Sequence, residues 1–168
     1  MNDAVWGISG IAWIIGGAAF AMIGGGIGSA IGLTSASNTA AGIVAEDSEK
    51  FGRVLPLAAM PSTQGIYGFI TAVMVLALFD VLGGAGEPTI SAQAGFSVFL
   101  ACLPVASVCM VSGIYQGLTS AGASGMVARR DEDAGKALIF PALVETYAVF
   151  SLITTVLALI SLSSIYMG

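Results

Sequence analysis

Long apolar stretches alternate with short polar ones along this chain, a pattern typical of a helical membrane protein. Four apolar blocks can be drawn, at about residues 7–41, 54–82, 90–128 and 137–166. Each is longer than the ~20 residues that an α-helix needs to cross a bilayer core. The pattern predicts an all-α membrane protein whose four transmembrane helices form two hairpins, the first in residues 1–85 and the second in residues 86–168.

Composition and charge agree with this class and indicate an orientation. The chain is 57% hydrophobic and 9% charged, with a mean hydropathy of +0.95, which excludes an ordinary soluble domain. All five basic residues lie in the polar segments 42–53 and 129–136, so both loops are expected in the cytoplasm and both termini on the opposite side. Acidic residues in the same loops bring the net charge to -5, and such mixed charge argues against a nucleic-acid partner.

The two hairpins are related by an internal duplication. The sequence Gly-Leu-Thr-Ser-Ala occupies positions 32–36 and again positions 117–121, and a charged loop and a long apolar block follow each copy. Placing Gln64 opposite Glu145 aligns the run Val-Leu-Ala-Leu at 75–78 with the same run at 156–159. A repeat of this kind predicts that the two hairpins pack in equivalent ways.

Small residues recur every four positions in the first and third blocks. The two stripes are Gly24, Gly28, Gly32, Ala36 and Ala40, and Gly113, Gly117, Ala121 and Gly125. In lipid, such stripes allow helix backbones to approach closely. The second and fourth blocks carry bulky apolar side chains instead. We therefore expect the first and third helices to form an inner layer, and the second and fourth an outer layer that faces lipid.

Glu145 is the acidic residue in the middle of the fourth block, and it marks the functional site. A carboxylate inside a membrane is costly unless a proton or a cation neutralises it. Counting inward from the charged ends places Glu145, Gln64 and Gln116 at about 14 to 18 Å depth, near the middle of a ~30 Å core. Three helices thus offer polar groups at one level.

The chemistry of these groups fits a hard monovalent cation, which prefers oxygen ligands. Glu145, Gln64, Thr63 and Gln116 can supply four oxygens, and one carboxylate balances one positive charge. A proton needs the carboxyl group alone, so H⁺ is the alternative ion. The two glutamines can also act simply as hydrogen-bonding contacts between helices.

Two local sequences make the chain resemble a known family. Residues 61–69 read Pro-Ser-Thr-Gln-Gly-Ile-Tyr-Gly-Phe, and residues 144–148 read Val-Glu-Thr-Tyr-Ala. With the duplicated hairpin and the glycine-rich first helix, they resemble the proteolipid subunit K of V-type or A-type rotary ATPases over essentially the whole chain. The resemblance implies a non-catalytic subunit of an ion-translocating complex. Such subunits form a homo-oligomeric rotor ring that carries ions as ATP is hydrolysed or made.

The resemblance also implies ligands and partners. In sodium-transporting members the Na⁺ ligands correspond to Glu145, Gln64, Thr63, Gln116 and the main-chain carbonyl of Met60. A further residue, Tyr67, corresponds to the tyrosine that closes the site. The expected partners are a stator subunit with an essential arginine, a soluble central-stalk subunit at the cytoplasmic loops, and membrane lipids. The expected location is a prokaryotic cell membrane. A small four-helix cation or drug transporter is the alternative class.

Overall fold

The computed structural model describes residues 5–83, 90–130 and 133–168, and its regular elements are helical. The α-helices are α1 (Gly10–Glu46), α2 (Phe51–Ala59), α3 (Thr63–Leu78), α4 (Ala92–Arg129), α5 (Ala134–Ala137) and α6 (Ile139–Tyr166). Short 3₁₀ helices occupy Ser48–Lys50 and Met60–Ser62. The expectation of an all-α protein is confirmed.

These helices form four segments that are long and apolar enough to cross a bilayer. We name them span 1 (Gly10–Glu46), span 2 (Ser48–Leu78), span 3 (Ala92–Arg129) and span 4 (Ala134–Tyr166). The chain is therefore an integral, multi-pass membrane protein. The expected boundary between the hairpins, at residues 85 and 86, lies outside the described residues, as do the first four residues and the two acidic residues at 131 and 132.

Some helices end at positions that hydropathy did not indicate. Span 1 continues to Glu46, five residues past its apolar block, because backbone hydrogen bonding proceeds into the polar segment. Span 2 ends at Leu78 rather than at residue 82. Here Asp80 adopts a left-handed backbone with φ 53°, and Val81 N–H donates to Leu76 O at 3.0 Å. This Schellman-type turn stops the helix.

Serines begin the first helix of each hairpin. Ser9 precedes α1 and accepts a hydrogen bond from Ala12 N at 3.4 Å, and Ser91 precedes α4 and accepts one from Ala94 N at 3.2 Å. Each hydroxyl thereby satisfies an N–H group that has no partner within its helix. The duplication is thus visible in the capping of the two helices.

The inner pair of helices is α1 and α4, which lie in close contact along much of their length. A Cβ atom added to Gly28 would lie 2.6 Å from the Cys109 carbonyl oxygen, and one added to Gly113 would lie 2.6 Å from the Gly28 carbonyl carbon. Only glycine permits this approach. The stripe is not uniform, however, since a Cβ on Gly125 would meet nothing within 4 Å.

The outer helices cover this pair from one side, with α3 packed on α1 and α6 packed on α4. Among the described residues, the main buried cluster includes Ile14, Val75, Phe79, Val98, Cys102, Val105, Cys109 and Leu159. Large apolar side chains on α3 and α6 point outward: Ile66, Phe69, Leu143, Tyr147, Phe150 and Leu157. Spans 1 and 3 are more buried than spans 2 and 4, although α1 and α4 also expose large apolar side chains such as Ile23 and Leu118. The outer, lipid-facing layer stays a prediction.

A lysine connects the two hairpins at their polar end. Lys50, in the 3₁₀ helix after span 1, donates from Nζ to Ala128 O at 2.5 Å and lies 3.8 Å from an Asp47 carboxylate oxygen. Ala128 belongs to the last turn of α4, where carbonyl groups lack helical partners and a cation is stabilising. The start of span 2 is therefore hydrogen-bonded to the end of span 3.

Candidate ion-binding site

Span 2 departs from α-helical geometry immediately before the site. Pro61 has no N–H group to donate, and residues Met60–Ser62 form a 3₁₀ turn between α2 and α3. Ser62 Oγ donates to Ala59 O at 2.8 Å within this turn. As a result α3 begins at Thr63, which places Thr63 and Gln64 in its first turn.

The Glu145 carboxylate receives hydrogen bonds from two other spans. Tyr67 Oη, from α3, donates to Oε1 at 2.7 Å. Gln116 Nε2, from α4, donates to Oε2 at 3.2 Å. Glu145 is half-buried, whereas Gln116 has no exposed surface. Three spans therefore meet at this carboxylate.

Two glutamine amides form the buried centre of the site. Gln64 Nε2 donates to Gln116 Oε1 at 2.7 Å, and Gln116 Nε2 also donates to Pro141 O at 3.0 Å. Both side chains are fully buried. A buried amide without partners would be costly, so the two amides stabilise each other and tie α3 to α4 and α6.

Three oxygen atoms lie together at the start of α3. Thr63 Oγ1 is 3.1 Å from Met60 O and 3.3 Å from Gln64 Oε1. The hydroxyl has a single proton and can donate to only one of these acceptors at a time. If that proton turned away, all three oxygens would present lone pairs to a cation.

All six residues that the sequence and the resemblance indicated therefore belong to one connected cluster: Met60, Thr63, Gln64, Tyr67, Gln116 and Glu145. Their role as ligands stays a prediction. The structure adds two serines that sequence reasoning missed.

The first is Ser112, whose hydroxyl lies between Gln64 and the backbone of α6. The second is Ser29 on α1, whose Oγ accepts a 2.7 Å hydrogen bond from Gly65 N. Ser112 precedes Gln116 by one helical turn, and this spacing is the signal that could have identified it.

Residues 16–75 and 99–158 each match the family model that describes the C subunit of ATP synthase. The chain belongs to the ATP synthase C-subunit family. The two matches cover the two hairpins separately, so the internal duplication is confirmed. The resemblance that the local sequences indicated is confirmed as well.

Two subunit K proteins of other rotary ATPases are similar to most of this chain. A-type ATP synthase subunit K of Methanocaldococcus jannaschii is 37% identical over 144 residues, which cover 86% of this chain and 60% of that protein. V-type sodium ATPase subunit K of Enterococcus hirae is 37% identical over 143 residues, which cover 85% of this chain and 87% of that protein. The chain thus spans less than two thirds of the first relative and most of the second.

The donor set of this C-subunit family member is one carboxylate with several neutral oxygens. Across the three described ranges, no group of three or more His, Cys, Asp or Glu side chains lies together. Divalent cations and transition metals are usually held by more charged or softer ligands. A single carboxylate neutralises one positive charge, so the cluster is chemically suited to a monovalent cation or a proton.

The surroundings of Glu145 on the outer face are apolar. Leu143, Tyr147 and Phe150 are each more than 60% exposed. A groove of about 420 Å³ runs beside the site and is lined by residues of α4 and α6, including Ser112, Tyr115, Val144 and Tyr147. A charged carboxylate facing this surface from within a bilayer would be costly, which makes neutralisation a requirement of the location.

Proposed function

We propose that this chain is a rotor-ring subunit of a V/A-type ATPase, which binds Na⁺ at Glu145 and carries it across the membrane as ATP is hydrolysed or synthesised. The observation that carries the proposal is the contact of Glu145 with Tyr67 and Gln116 on two other spans. A carboxylate held in this way can alternate between an occupied state inside the bilayer and an open state beside a partner charge. The name of the Enterococcus hirae relative supports sodium as the ion.

Binding uses oxygens that are already close together. Na⁺ is the cargo, and its proposed ligands are oxygens of Glu145, Gln64, Thr63, Gln116 and the Met60 carbonyl. The Thr63 hydroxyl proton turns away from Met60 O and Gln64 Oε1 when the cation enters. The Tyr67 phenol donates only to Glu145 Oε1, while Oε2 faces Gln116. Tyr67 therefore closes the site and leaves Oε2 without a hydrogen bond from the phenol.

The proton is the alternative ion, and two buried amides argue against it. A protonated carboxyl group needs only one acceptor, and desolvation alone favours its protonated form. Gln64 and Gln116 are both fully buried. Burial of two amides is costly, and this cost is offset further if their oxygens also bind a cation.

The proposed cycle depends on a ring of identical subunits beside a stator. While Glu145 faces lipid it holds Na⁺, and when it meets an arginine on the stator it releases Na⁺ and pairs with the guanidinium. Gln64 occupies the position in the first hairpin that Glu145 occupies in the second. Each chain therefore carries one ion for four helices.

The polar end of the chain is the proposed docking site for the soluble central stalk. The described residues of the loops at 42–53 and 129–136 lie at one end, where Lys50 is hydrogen-bonded to Ala128 O. Their basic residues support a cytoplasmic location for these loops, with the termini on the opposite side. The membrane that we propose is that of a prokaryotic cell. Lipid is the remaining partner and covers the outward side chains of α3 and α6.

Purification and transport together test this proposal. The chain should co-purify from membranes with an ATP-hydrolysing complex and run as an oligomeric ring in mild detergent. ATP-driven ²²Na⁺ uptake into vesicles containing the complex should be lost in Glu145→Gln. The exposed amide variant Gln93→Ala should retain uptake, because Gln93 lies near the start of α4, far from the site. Isolation as a dimer without ATPase activity would instead support a small transporter.

A further inference from the structure

Ser112 joins two parts of the site through a single hydroxyl group. It lies on α4, is only 5% exposed, and precedes Gln116 by one helical turn. Its Oγ accepts a hydrogen bond from Gln64 Nε2 at 3.3 Å and donates one to Val144 O at 3.1 Å. Val144 is the residue immediately before Glu145.

The direction of these hydrogen bonds is determined by the α6 backbone. A carbonyl oxygen can only accept, so the proton of the Ser112 hydroxyl is committed to Val144 O. Ser112 Oγ can then only accept a hydrogen bond from Gln64. Gln64 must therefore turn its NH₂ group toward Ser112. One turn away, Pro141 O likewise accepts from Gln116 Nε2, so that Gln116 Oε1 is left to accept from Gln64.

Both N–H groups of the Gln64 amide therefore have acceptors, and its oxygen is turned to the opposite side. There Gln64 Oε1 lies 3.3 Å from Thr63 Oγ1, within the proposed set of ligands. A rotation of the amide by 180° would place its oxygen against the lone pairs of Ser112 and Gln116. The NH₂ group would then face the ion, which it repels.

We infer that Ser112 is a positioning residue that sets the preference of the site for Na⁺ over H⁺, by holding the Gln64 amide with its oxygen toward the ion. The inference rests on the proposed function and names a determinant of its specificity. A proton binds the Glu145 carboxyl group directly and has little need of the Gln64 oxygen. Loss of the Ser112 hydroxyl should therefore weaken Na⁺ binding selectively.

The test compares three serine variants in the assembled protein. Carbodiimides attack a protonated carboxyl group, so bound Na⁺ protects Glu145 from labelling. Ser112→Ala should raise the Na⁺ concentration for half-protection about tenfold, the effect of losing one buried hydrogen bond. Ser112→Thr keeps the hydroxyl, and its extra methyl group can enter the adjacent groove, so it should restore near-native protection.

Ser124→Ala is the matched control. Ser124 lies on the same helix and is also buried, and its hydroxyl donates at 2.9 Å to the backbone of its own helix, at Ser120 O. The half-protection concentration of this variant should remain native. The labelling rate without Na⁺ should be the same in all variants, because a positioning role leaves carboxyl accessibility unchanged. If Ser112→Ala does not yield folded protein, Ser112→Cys serves instead, since a thiol is a weak acceptor of similar size.

Several results would overturn the inference. A native half-protection concentration in Ser112→Ala would exclude the positioning role, as would an equal shift in Ser124→Ala. A changed labelling rate without Na⁺ in Ser112→Ala would indicate a general packing defect instead. If Na⁺ failed to protect the unmodified protein, sodium binding itself would be wrong and the inference would fail with it. Failure of sodium binding is distinguished from failure of the Ser112 role because it is seen in the unmodified protein, without any variant.

Discussion

Tyr67 and Glu145 are 78 positions apart in the chain, yet the phenol oxygen of Tyr67 lies 2.7 Å from Glu145 Oε1. The bond joins span 2 to span 4 within their apolar length. Hydrogen bonds to ionised groups are among the stronger ones in proteins. Tyr67 therefore stabilises the carboxylate in the position where Gln116 also reaches it.

Removal of this phenol should loosen the closed site. In Tyr67→Phe we expect the Na⁺ concentration for half-protection to rise about tenfold, since a bond to a charged group contributes ~1.5 to 3 kcal/mol and this site is half-exposed. Titration of carbodiimide labelling measures the change. Tyr147→Phe is the control, because Tyr147 is 66% exposed and packs edge-on against Phe150. Equal shifts in both variants would contradict the closing role.

A second carboxylate in the site should change how it is neutralised. In Gln64→Glu the new carboxyl group would lie on the opposite side of the Gln116 amide from Glu145, and nearby like charges favour retention of a proton. We expect labelling at position 64 to persist at Na⁺ concentrations that fully protect the native protein. Peptide mass spectrometry locates the label. The control is Gln93→Glu, in which Na⁺ should protect Glu145 as in the native protein, because position 93 is exposed near the start of α4. Complete protection of both position 64 and Glu145 in Gln64→Glu would show that the two side chains act independently.

Glycine at position 28 should be essential for the contact between α1 and α4. The Cβ atom in Gly28→Ala would lie 2.6 Å from the Cys109 carbonyl oxygen, and such overpacking costs ~1 to 3 kcal/mol. We expect a lower temperature of thermal unfolding in detergent. Gly125→Ala, on the other helix, should unfold at the native temperature or slightly above it, since its Cβ has open space. The reverse order would contradict the described helix packing.

At the polar end, Asp133 should respond to the loss of Lys136. The hydrogen bond from Lys136 Nζ, at 2.6 Å, lowers the pKa of Asp133 below its ordinary value. Stability from this pair is therefore present above the ordinary pKa and is lost as pH falls through the lowered one. Lys136→Ala should raise the pKa of Asp133, and Lys136→Arg should keep it low. Carboxyl ¹³C NMR of Asp133 across acidic pH measures this, and no change in Lys136→Ala would remove the proposed cause.

The sequence was sufficient for the number of spans and for the proximity of the polar residues. Long apolar blocks report directly on membrane crossing, and counting from the charged ends placed Gln64, Gln116 and Glu145 together because helical rise is uniform. Glycine spacing indicated the α1 and α4 contact for the same reason. The four-residue period did not separate Gly28, which is in close contact, from Gly125, which is not.

Hydrogen-bond direction and local breaks in the helices were beyond the reach of the sequence. The role of Ser112 depends on which backbone carbonyl lies opposite it, and no periodicity encodes that pairing between spans 3 and 4. The beginning of α3 at Thr63 depends on how the chain accommodates Pro61. The early end of span 2 depends on the left-handed backbone of Asp80, a conformation that hydropathy does not detect.

The most direct measurement is carbodiimide labelling of Glu145 in the purified, assembled protein at alkaline pH, with and without Na⁺. We expect labelling to fall to background as Na⁺ rises and to stay unchanged with K⁺ at equal concentration. Gln64→Ala should need more Na⁺ for the same protection. Labelling that Na⁺ does not affect at any concentration would contradict sodium binding at Glu145 and would support protons as the ion.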